Sequence, residues 1–278
     1  MNSLAVGTRP GAACLAVDCV AGLSTVTSAR SHQPAKLLVP VPRGHSVWAC
    51  TSSFGGGLVA GDQTRLDIRL GPGTRCYIGS QASSKIYRTP PSKPSSHTTT
   101  ATVGPGALLV FAPDPVQPFA QASYTQTQRF SLAPDASLVL IDWINAGRTA
   151  RGERWAFHHY HSRNEIFVGP QRTFLDTLVL NPADGALTTP QRLGRFNGLA
   201  TLTLQGPILI AFADHIVAEI AQRPVPQRPP LLVTASPLRD GALVRIAGVH
   251  PEDIGRELRH HLAFLRDLLQ DDPWARKG

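Results

Sequence analysis

Short apolar runs separated by glycine and proline turns recur along almost the whole chain, and this pattern limits what it can fold into. Gly 24 and Pro 24, with only 6% aromatic residues, suit many short strands joined by many turns. We predict strands at residues 66–70, 76–78, 107–111, 137–141, 165–168, 173–180, 201–204, 208–212, 231–234 and 242–246. The pattern by itself indicates a mainly β body of the sandwich or barrel type.

The first two runs are joined by the turn Gly71-Pro72-Gly73. Leu66, Ile68 and Leu70 alternate with charged residues before the turn, and a second extended run follows it. Alternation with a period of two puts one side of a strand in the core and the other in solvent. Two such runs across a glycine and proline turn predict a β-hairpin with one buried face.

Two segments depart from the strand pattern. Residues 214–221 predict a short helix with Asp214 as its cap. Residues 251–269 predict a longer helix, because Pro251 suits the first helical position and the acids after it suit the positive end of the helix dipole. Five apolar residues form one stripe along this helix: Ile254, Leu258, Leu262, Leu265 and Leu269. Packing against the core explains the stripe, and docking of a partner is the alternative.

Two further segments are predicted to be loops. Serine, threonine and proline dominate residues 89–100, which are typical of an exposed, mobile loop. Residues 223–230 contain four prolines, which exclude both a helix and a central strand.

The charge of the chain favours acidic partners but not nucleic acid. The formal net charge is +8 and the sequence pI is about 9.9. Lysine and arginine are nevertheless scattered, and no repeat of basic and aromatic residues supplies platforms for base stacking. We therefore expect no nucleic-acid partner.

Apolar length and cysteine spacing indicate the compartment. No run reaches the roughly 18 apolar residues that a membrane span needs, and Asp18 interrupts the apolar stretch near the start of the chain. The four cysteines form no CxxC pair, which fits buried thiols in a reducing compartment. We expect one domain over residues 1–278, in the cytoplasm and without a membrane partner.

The glycine-rich turn at residues 55–62 resembles a phosphate loop only in its glycine spacing. Gly56 and Gly61 are spaced as in such a loop, but Asp62 and Gln63 stand where lysine and serine or threonine would be needed. A carboxylate there would repel phosphate, so nucleotide binding is rejected. Asp62 either caps the turn or takes part in the passage of a metal ion.

The histidines offer a second candidate for metal binding. His158, His159 and His161 follow one another closely, and on a strand the last two would share a face with Trp155 and Phe157. These aromatic neighbours favour a structural role for the histidines over a role as ligands of Ni²⁺ or Zn²⁺. His260 and His261 are adjacent on a predicted helix and are expected to point apart. No catalytic fingerprint of a hydrolase or a dinucleotide enzyme is present.

Four stretches resemble the UreD (UreH) family of urease accessory proteins. They are residues 53–88, residues 104–124, residues 137–168, which contain the pattern Gly-Arg-x-Ala-x-Gly-Glu at 147–153, and residues 172–180. The motif residues are Gly55, Gly56, Gly57, Gly61, Gln81, Lys85, Tyr87, Gly147, Arg148 and Gly152. The resemblance implies a mainly β fold, a β-helix-like solenoid of many short strands with two helices, one of them C-terminal.

The resemblance also implies a function. Such a protein is a non-enzymatic scaffold that joins urease apoprotein to UreF, and through UreF to the GTPase UreG, while nickel crosses it. No cofactor is tightly bound, and Ni²⁺ is transient. The acids expected along the nickel path are Asp62, Asp142, Glu153 and Asp176. Arg148 would hold the acidic cluster in place, and Lys85 and Tyr87 would support the glycine turn.

A different class of protein remains as the alternative. A β-solenoid hydrolase acting on a polysaccharide presents paired carboxylates on one open face. Asp62 and Asp67 could form such a pair.

Overall fold

The computed structural model describes residues 9–41 and 44–275. The strands in chain order are β1 (Ala12–Val20), β2 (Leu23–Ser31), β3 (Ala35–Leu38), β4 (Val47–Ser53), β5 (Gln63–Leu70), β6 (Arg75–Ser80), β7 (Ser84–Ile86), β8 (Ser95–Val103), β9 (Leu108–Phe111), β10 (Val116–Pro118), β11 (Ser123–Leu132), β12 (Ser137–Asn145), β13 (His159–Val168), β14 (Gln171–Leu180), β15 (Gly198–Gln205), β16 (Leu231–Leu238) and β17 (Gly241–Gly248). The helices are α1 (Ile210–Gln222), α2 (Pro251–His261) and α3 (Leu265–Leu269).

These strands wind into a β-solenoid of about four turns, which confirms the mainly β fold. The chain passes alternately between two sheets. In the first sheet, β1, β5, β8, β11 and β13 lie parallel and side by side; in the second, β4, β6, β9 and β12 do so. Antiparallel strands extend both sheets: β2 and β14 flank the first, and β3 and the set β15, β17 and β16 flank the second.

The predicted hairpin across Gly71-Pro72-Gly73 is wrong. β5 pairs in parallel with β1 and β8 in the first sheet, whereas β6 lies in the second sheet. The turn is a corner of the solenoid, and it stacks on the equivalent corner of the next turn: the Gly73 N–H donates to the Pro105 carbonyl at 2.8 Å. Gly73 itself has a φ of +67°, which a residue with a side chain rarely adopts. Alternation correctly identifies a strand's buried face, but it does not identify its neighbours.

Two other segments differ from their predictions. Part of the predicted loop at residues 89–100 is β8, an interior strand between β5 and β11. Its side chains find partners on both neighbours: Ser95 bonds to the Ser123 carbonyl and His97 to Thr64. The predicted strand at 208–212 instead starts α1. Asp214 lies within that helix and does not cap it; Leu209 is the N-cap residue.

The helices cover the outer face of the second sheet. The predicted helix at 251–269 is two helices, so the described chain has three helices where two were expected. All five residues of its apolar stripe are buried. They pack with apolar residues of α1 and with outward side chains of the sheet such as Trp48, Val110 and Ile141. The stripe is therefore part of the core. None of the described helices has the length and apolar character that a membrane crossing requires.

Candidate functional site: a polar interior and its entrance

The glycine turn packs closely against the strand that carries Lys85 and Tyr87. The Leu58 N–H donates to the Lys85 carbonyl and the Tyr87 N–H to the Leu58 carbonyl, each at 2.9 Å. A Cβ atom at Gly57 would lie 2.6 Å from both the Lys85 carbonyl oxygen and the Tyr87 ring. Only glycine fits this close approach without a shift of the backbone.

The Gly-Arg signature joins the same corner. The Tyr87 ring meets Phe119 edge to face, with centroids 5.4 Å apart, and the Arg148 guanidinium lies 4.3 Å from the Phe119 centroid. Arg148 forms a bidentate ion pair with Glu153, whose Oε2 also accepts the Ala120 N–H at 3.1 Å. The hydrogen bonds from Arg148 lower the pKa of Glu153. The glycine turn, the strand of Lys85 and Tyr87, and the Gly-Arg motif with Phe119 thus form one connected corner, here called the signature corner.

Asp62 closes its own turn. Its Oδ2 accepts the Val59 N–H at 2.9 Å, and its own N–H donates to the Val59 carbonyl at 3.1 Å. The sequence allowed two roles for Asp62, capping of the turn or passage of a metal ion. These two hydrogen bonds show that Asp62 caps the turn.

Behind the signature corner, polar side chains face the interior of the solenoid in two layers. Parallel pairing aligns Thr64, His97, Gln126 and Ser162 on neighbouring strands, and then Thr99, Gln128 and Asn164 in the layer above. The Gln126 amide donates to Ser162 Oγ at 3.2 Å, and the Gln128 amide donates to Asn164 Oδ1 at 2.8 Å. His97 Nδ1 lies 2.8 Å from Thr64 Oγ1. The next layers are apolar, with Ile68, Ala101, Phe130 and Ile166 aligned.

Four residues of these layers line a cavity of about 280 Å³ between the two sheets: Thr64, His97, Gln126 and Gln128. It is bordered by Gly56 and Gly57 of the glycine turn and by the exposed residues Gln81 and Lys85, where it meets the surface. His97 faces this cavity, and burial lowers the pKa of its imidazole to about 4. The ring is therefore neutral near pH 7.

Asp142 lies at the far side of this cavity, on β12. Its carboxylate accepts hydrogen bonds from Gln126 at 2.9 Å, Ser162 at 2.6 Å and Asn164 at 2.7 Å. Burial raises the pKa of Asp142 even though these bonds oppose the shift. All of its hydrogen-bond partners among the described residues are neutral side chains.

A second cavity, of about 470 Å³, begins at the same residue. Asp142 and Trp143 line both cavities. The second one lies where the sheets end, between Asp176 of β14 and the strands β15 to β17. Arg245 of β17 pairs with Asp176 at 3.2 Å. Asp142 therefore lies where the first cavity, which meets the surface near the glycine turn, adjoins the second cavity, which Asp176 lines.

The four acids proposed for a metal path are separated by the fold into two groups. Asp142 and Asp176 share the second cavity, and Asp176 contributes to the raised pKa of Asp142. Asp62 and Glu153 line neither cavity and hold the glycine turn and the signature corner. Arg148 was expected to hold the acidic cluster in place, but among the described residues the acid that it binds is Glu153, whereas Asp142 is bound by neutral side chains.

The interior residues His97, Gln126, Gln128 and Asn164 were not singled out from the sequence. The sequence did contain a signal for them on β11. Gln126 and Gln128 occupy every second position, on the same side of the strand as the buried Phe130. Polar residues at the buried positions of a strand mark a polar interior.

The histidines also differ from expectation. β13 begins only at His159, and Trp155 has a φ of +55°, so the alternation is broken between them. His159 and His161 lie on the outer face with ring centroids 6.4 Å apart, while Trp155 and Phe157 are buried. His260 and His261 do not point apart, since both rings approach Glu219 of α1.

Asp62 and Asp67, the two carboxylates of the hydrolase alternative, are each bound to a residue close in sequence. Asp62 caps its turn, and Asp67 forms an ion pair with Arg65 at 2.7 Å. Nothing in this arrangement supports paired carboxylates on an open face, so the polysaccharide hydrolase is left without support.

Comparison with known proteins agrees with the signatures. The family model of the UreD urease accessory protein matches residues 9–277. A urease accessory protein UreD of Sorangium cellulosum is 46% identical over 93% of this chain and 81% of its own length. A urease accessory protein UreD of an Anaeromyxobacter species is 39% identical over 98% of this chain and 91% of its own length. Urease accessory protein D of Oryza sativa subsp. indica is 33% identical over 93% of each chain. The chain therefore belongs to the UreD family of urease accessory proteins, whose role is in the maturation of urease.

Proposed function

We propose that this protein is the non-enzymatic scaffold through which nickel reaches urease apoprotein in the cytoplasm. It would bind UreF, and through UreF the GTPase UreG, and would hold no resident cofactor. Ni²⁺ is the cargo of this scaffold. The family supports the maturation role, and the motif resemblance supports these partners.

The observation that carries the proposal is the position of Asp142 between two cavities. A divalent ion in a protein interior needs polar or anionic contacts, because an uncompensated charge there costs several kcal/mol or more. The first cavity supplies amide, hydroxyl and imidazole groups, and the second supplies Asp176. Oxygen ligands hold Ni²⁺ less tightly than nitrogen or thiolate ligands, which suits passage.

The four acids then have two different roles. Asp142 and Asp176 contact the ion in transit. Asp62 and Glu153 act indirectly, by holding the glycine turn and the signature corner beside the entrance. Lys85 and Tyr87 support that entrance by their contacts with Gly57 and Leu58.

The test is the nickel content of urease made with an Asp142→Asn variant. Asparagine has nearly the same volume as aspartate but cannot carry the charge, so we expect fewer nickel ions per active site after co-expression with all accessory proteins. Asp67→Asn is the matched control, because Asp67 lies on the outer face of β5 and lines neither cavity. Pull-down of UreF and UreG checks assembly.

Full nickel loading with Asp142→Asn in an intact complex would refute the route through this residue. Loss of the complex itself would instead locate the defect in folding or assembly. In that case Asp176→Asn provides the second variant, because the Asp176 carboxylate pairs with the exposed side chain of Arg245.

A further inference from the structure

A second group of metal-ligating side chains lies outside the solenoid, between α1 and α2. Glu219 and Arg223 come from the end of α1, and Glu257, His260 and His261 from the last turns of α2. The negative ends of two helix dipoles meet there, which favours a cation. The group is separate from both cavities and does not depend on the nickel route.

The two carboxylate oxygens of Glu219 have different neighbours in this group. Arg223 binds Oε1 of Glu219 and Oε1 of Glu257. His260 Nε2 lies 2.9 Å from the same Glu219 Oε1. The second oxygen of Glu219, Oε2, faces His261 Nδ1 at 3.7 Å.

His261 is the informative member, because its side chain is fully buried. Its Nε2 lies 2.8 Å from Glu257 Oε1 and its Nδ1 lies 3.7 Å from Glu219 Oε2, but neither ring nitrogen has a hydrogen bond of good geometry among the described residues. A buried imidazole usually has such a partner, and a metal ion between Nδ1 and Glu219 would supply it.

We propose that Glu219, His260 and His261 bind a divalent transition-metal ion, Zn²⁺ or Ni²⁺. One ligand atom from each of the three residues can lie within 4.8 Å of the others. Two ligand atoms 3.7 Å apart can each reach an ion at about 2.1 Å. Glu257 supplies the carboxylate behind a ligating histidine that orients its ring in many metal sites. The exposed His260 ring, 58% accessible, gives the ion an entry from solvent.

The test is titration of the full chain, free of any polyhistidine tag, with Zn²⁺ and with Ni²⁺ by calorimetry. All proteins carry His159→Ala and His161→Ala, which remove the outer histidine pair. Loss of one ligand in His260→Ala or Glu219→Gln should weaken binding roughly tenfold or more. His250→Ala is the matched control, because His250 is exposed at the opposite end of α2 and makes no capping bond. Equal affinity in all variants, or no binding, would overturn the proposal.

Thermal unfolding provides a second measurement that does not depend on calorimetric stoichiometry. An ion that binds only the folded chain raises its Tm. We expect this rise with the His250→Ala control and a smaller rise with His260→Ala. A Tm that added Zn²⁺ leaves unchanged in the control protein would refute the site.

Discussion

At the scale of single residues, Asp142 shows how a carboxylate can be kept inside the solenoid without a cation. Gln126, Ser162 and Asn164 each donate a hydrogen bond to it. A buried arginine would neutralise the carboxylate and compete with a passing ion. Neutral donors hold the side chain in place, and on the proposed nickel route they would leave its charge available to the ion.

The raised pKa of Asp142 makes a prediction about pH and stability. In the unfolded chain this carboxyl ionises near its ordinary pKa of 3.8, but in the folded chain it keeps its proton to higher pH. Between these two values the unfolded state binds fewer protons, so Asp142 lowers the free energy of unfolding as the pH rises. Asp142→Asn removes this effect.

The measurement is urea unfolding of wild type and Asp142→Asn at several pH values from 3 upward. The free energy of unfolding of the variant minus that of wild type should increase through the window above 3.8 and then level off. The ion pairs at Glu153 and Glu219 are present in both proteins and cancel in this difference. A difference that does not change with pH would contradict the raised pKa.

At the scale of elements, the apolar stripe of α2 packs in the core and does not form a docking surface for a partner. Its apolar residues face the second sheet and α1 rather than solvent, and Phe212 of α1 stacks on Phe264 beyond α2 at 4.1 Å between centroids. A stripe that serves the core stabilises the isolated chain. A stripe that docks a partner would stabilise only the complex.

We therefore expect Leu258→Ala to lower the free energy of unfolding of the chain by about 2–5 kcal/mol, the cost of removing a buried leucine side chain. Leu258 is 2% exposed in the structure. Arg259→Ala, at the next and exposed position, is the control and should change stability by about 0.5 kcal/mol or less. Denaturant unfolding compares the three proteins, and an unchanged midpoint for Leu258→Ala would contradict the packing.

At the scale of the whole molecule, the winding of the solenoid creates the candidate route. Successive turns stack equivalent side chains on parallel strands, so a polar position repeated on β5, β8, β11 and β13 becomes a continuous polar layer. The antiparallel strands β14 to β17 surround the second cavity. Asp142 is the residue where the layer meets this cavity.

A bulky residue in the second cavity should obstruct the route without changing the signature corner. Thr234 of β16 is exposed and lines this cavity, so we expect Thr234→Trp to lower the nickel content of co-expressed urease several-fold. Ser236→Trp is the control, because Ser236 is exposed on the same side of the same strand and lies outside the cavity lining. Nickel analysis of purified urease, with pull-down of UreF, is the measurement. Equal nickel loading with both variants would exclude the second cavity from the route.

The sequence by itself determined the local features of this protein. Short apolar runs between turns identified most strands of the second half, the apolar stripe identified the buried side of α2, and the Gly-Arg and Lys-x-Tyr motifs identified the family. Each of these depends on neighbours within one element, which the residue order contains.

Only the tertiary structure decided which elements meet. A glycine and proline turn allows either a hairpin or a solenoid corner, and contacts with the next turn, such as Gly73 to Pro105, select the corner. Asp142 is 34 residues before Asp176 in the numbering, and Glu219 is far from His261, yet each pair shares a cavity or a cluster. Such proximity results from the packing free energy of the whole chain, which no short pattern contains.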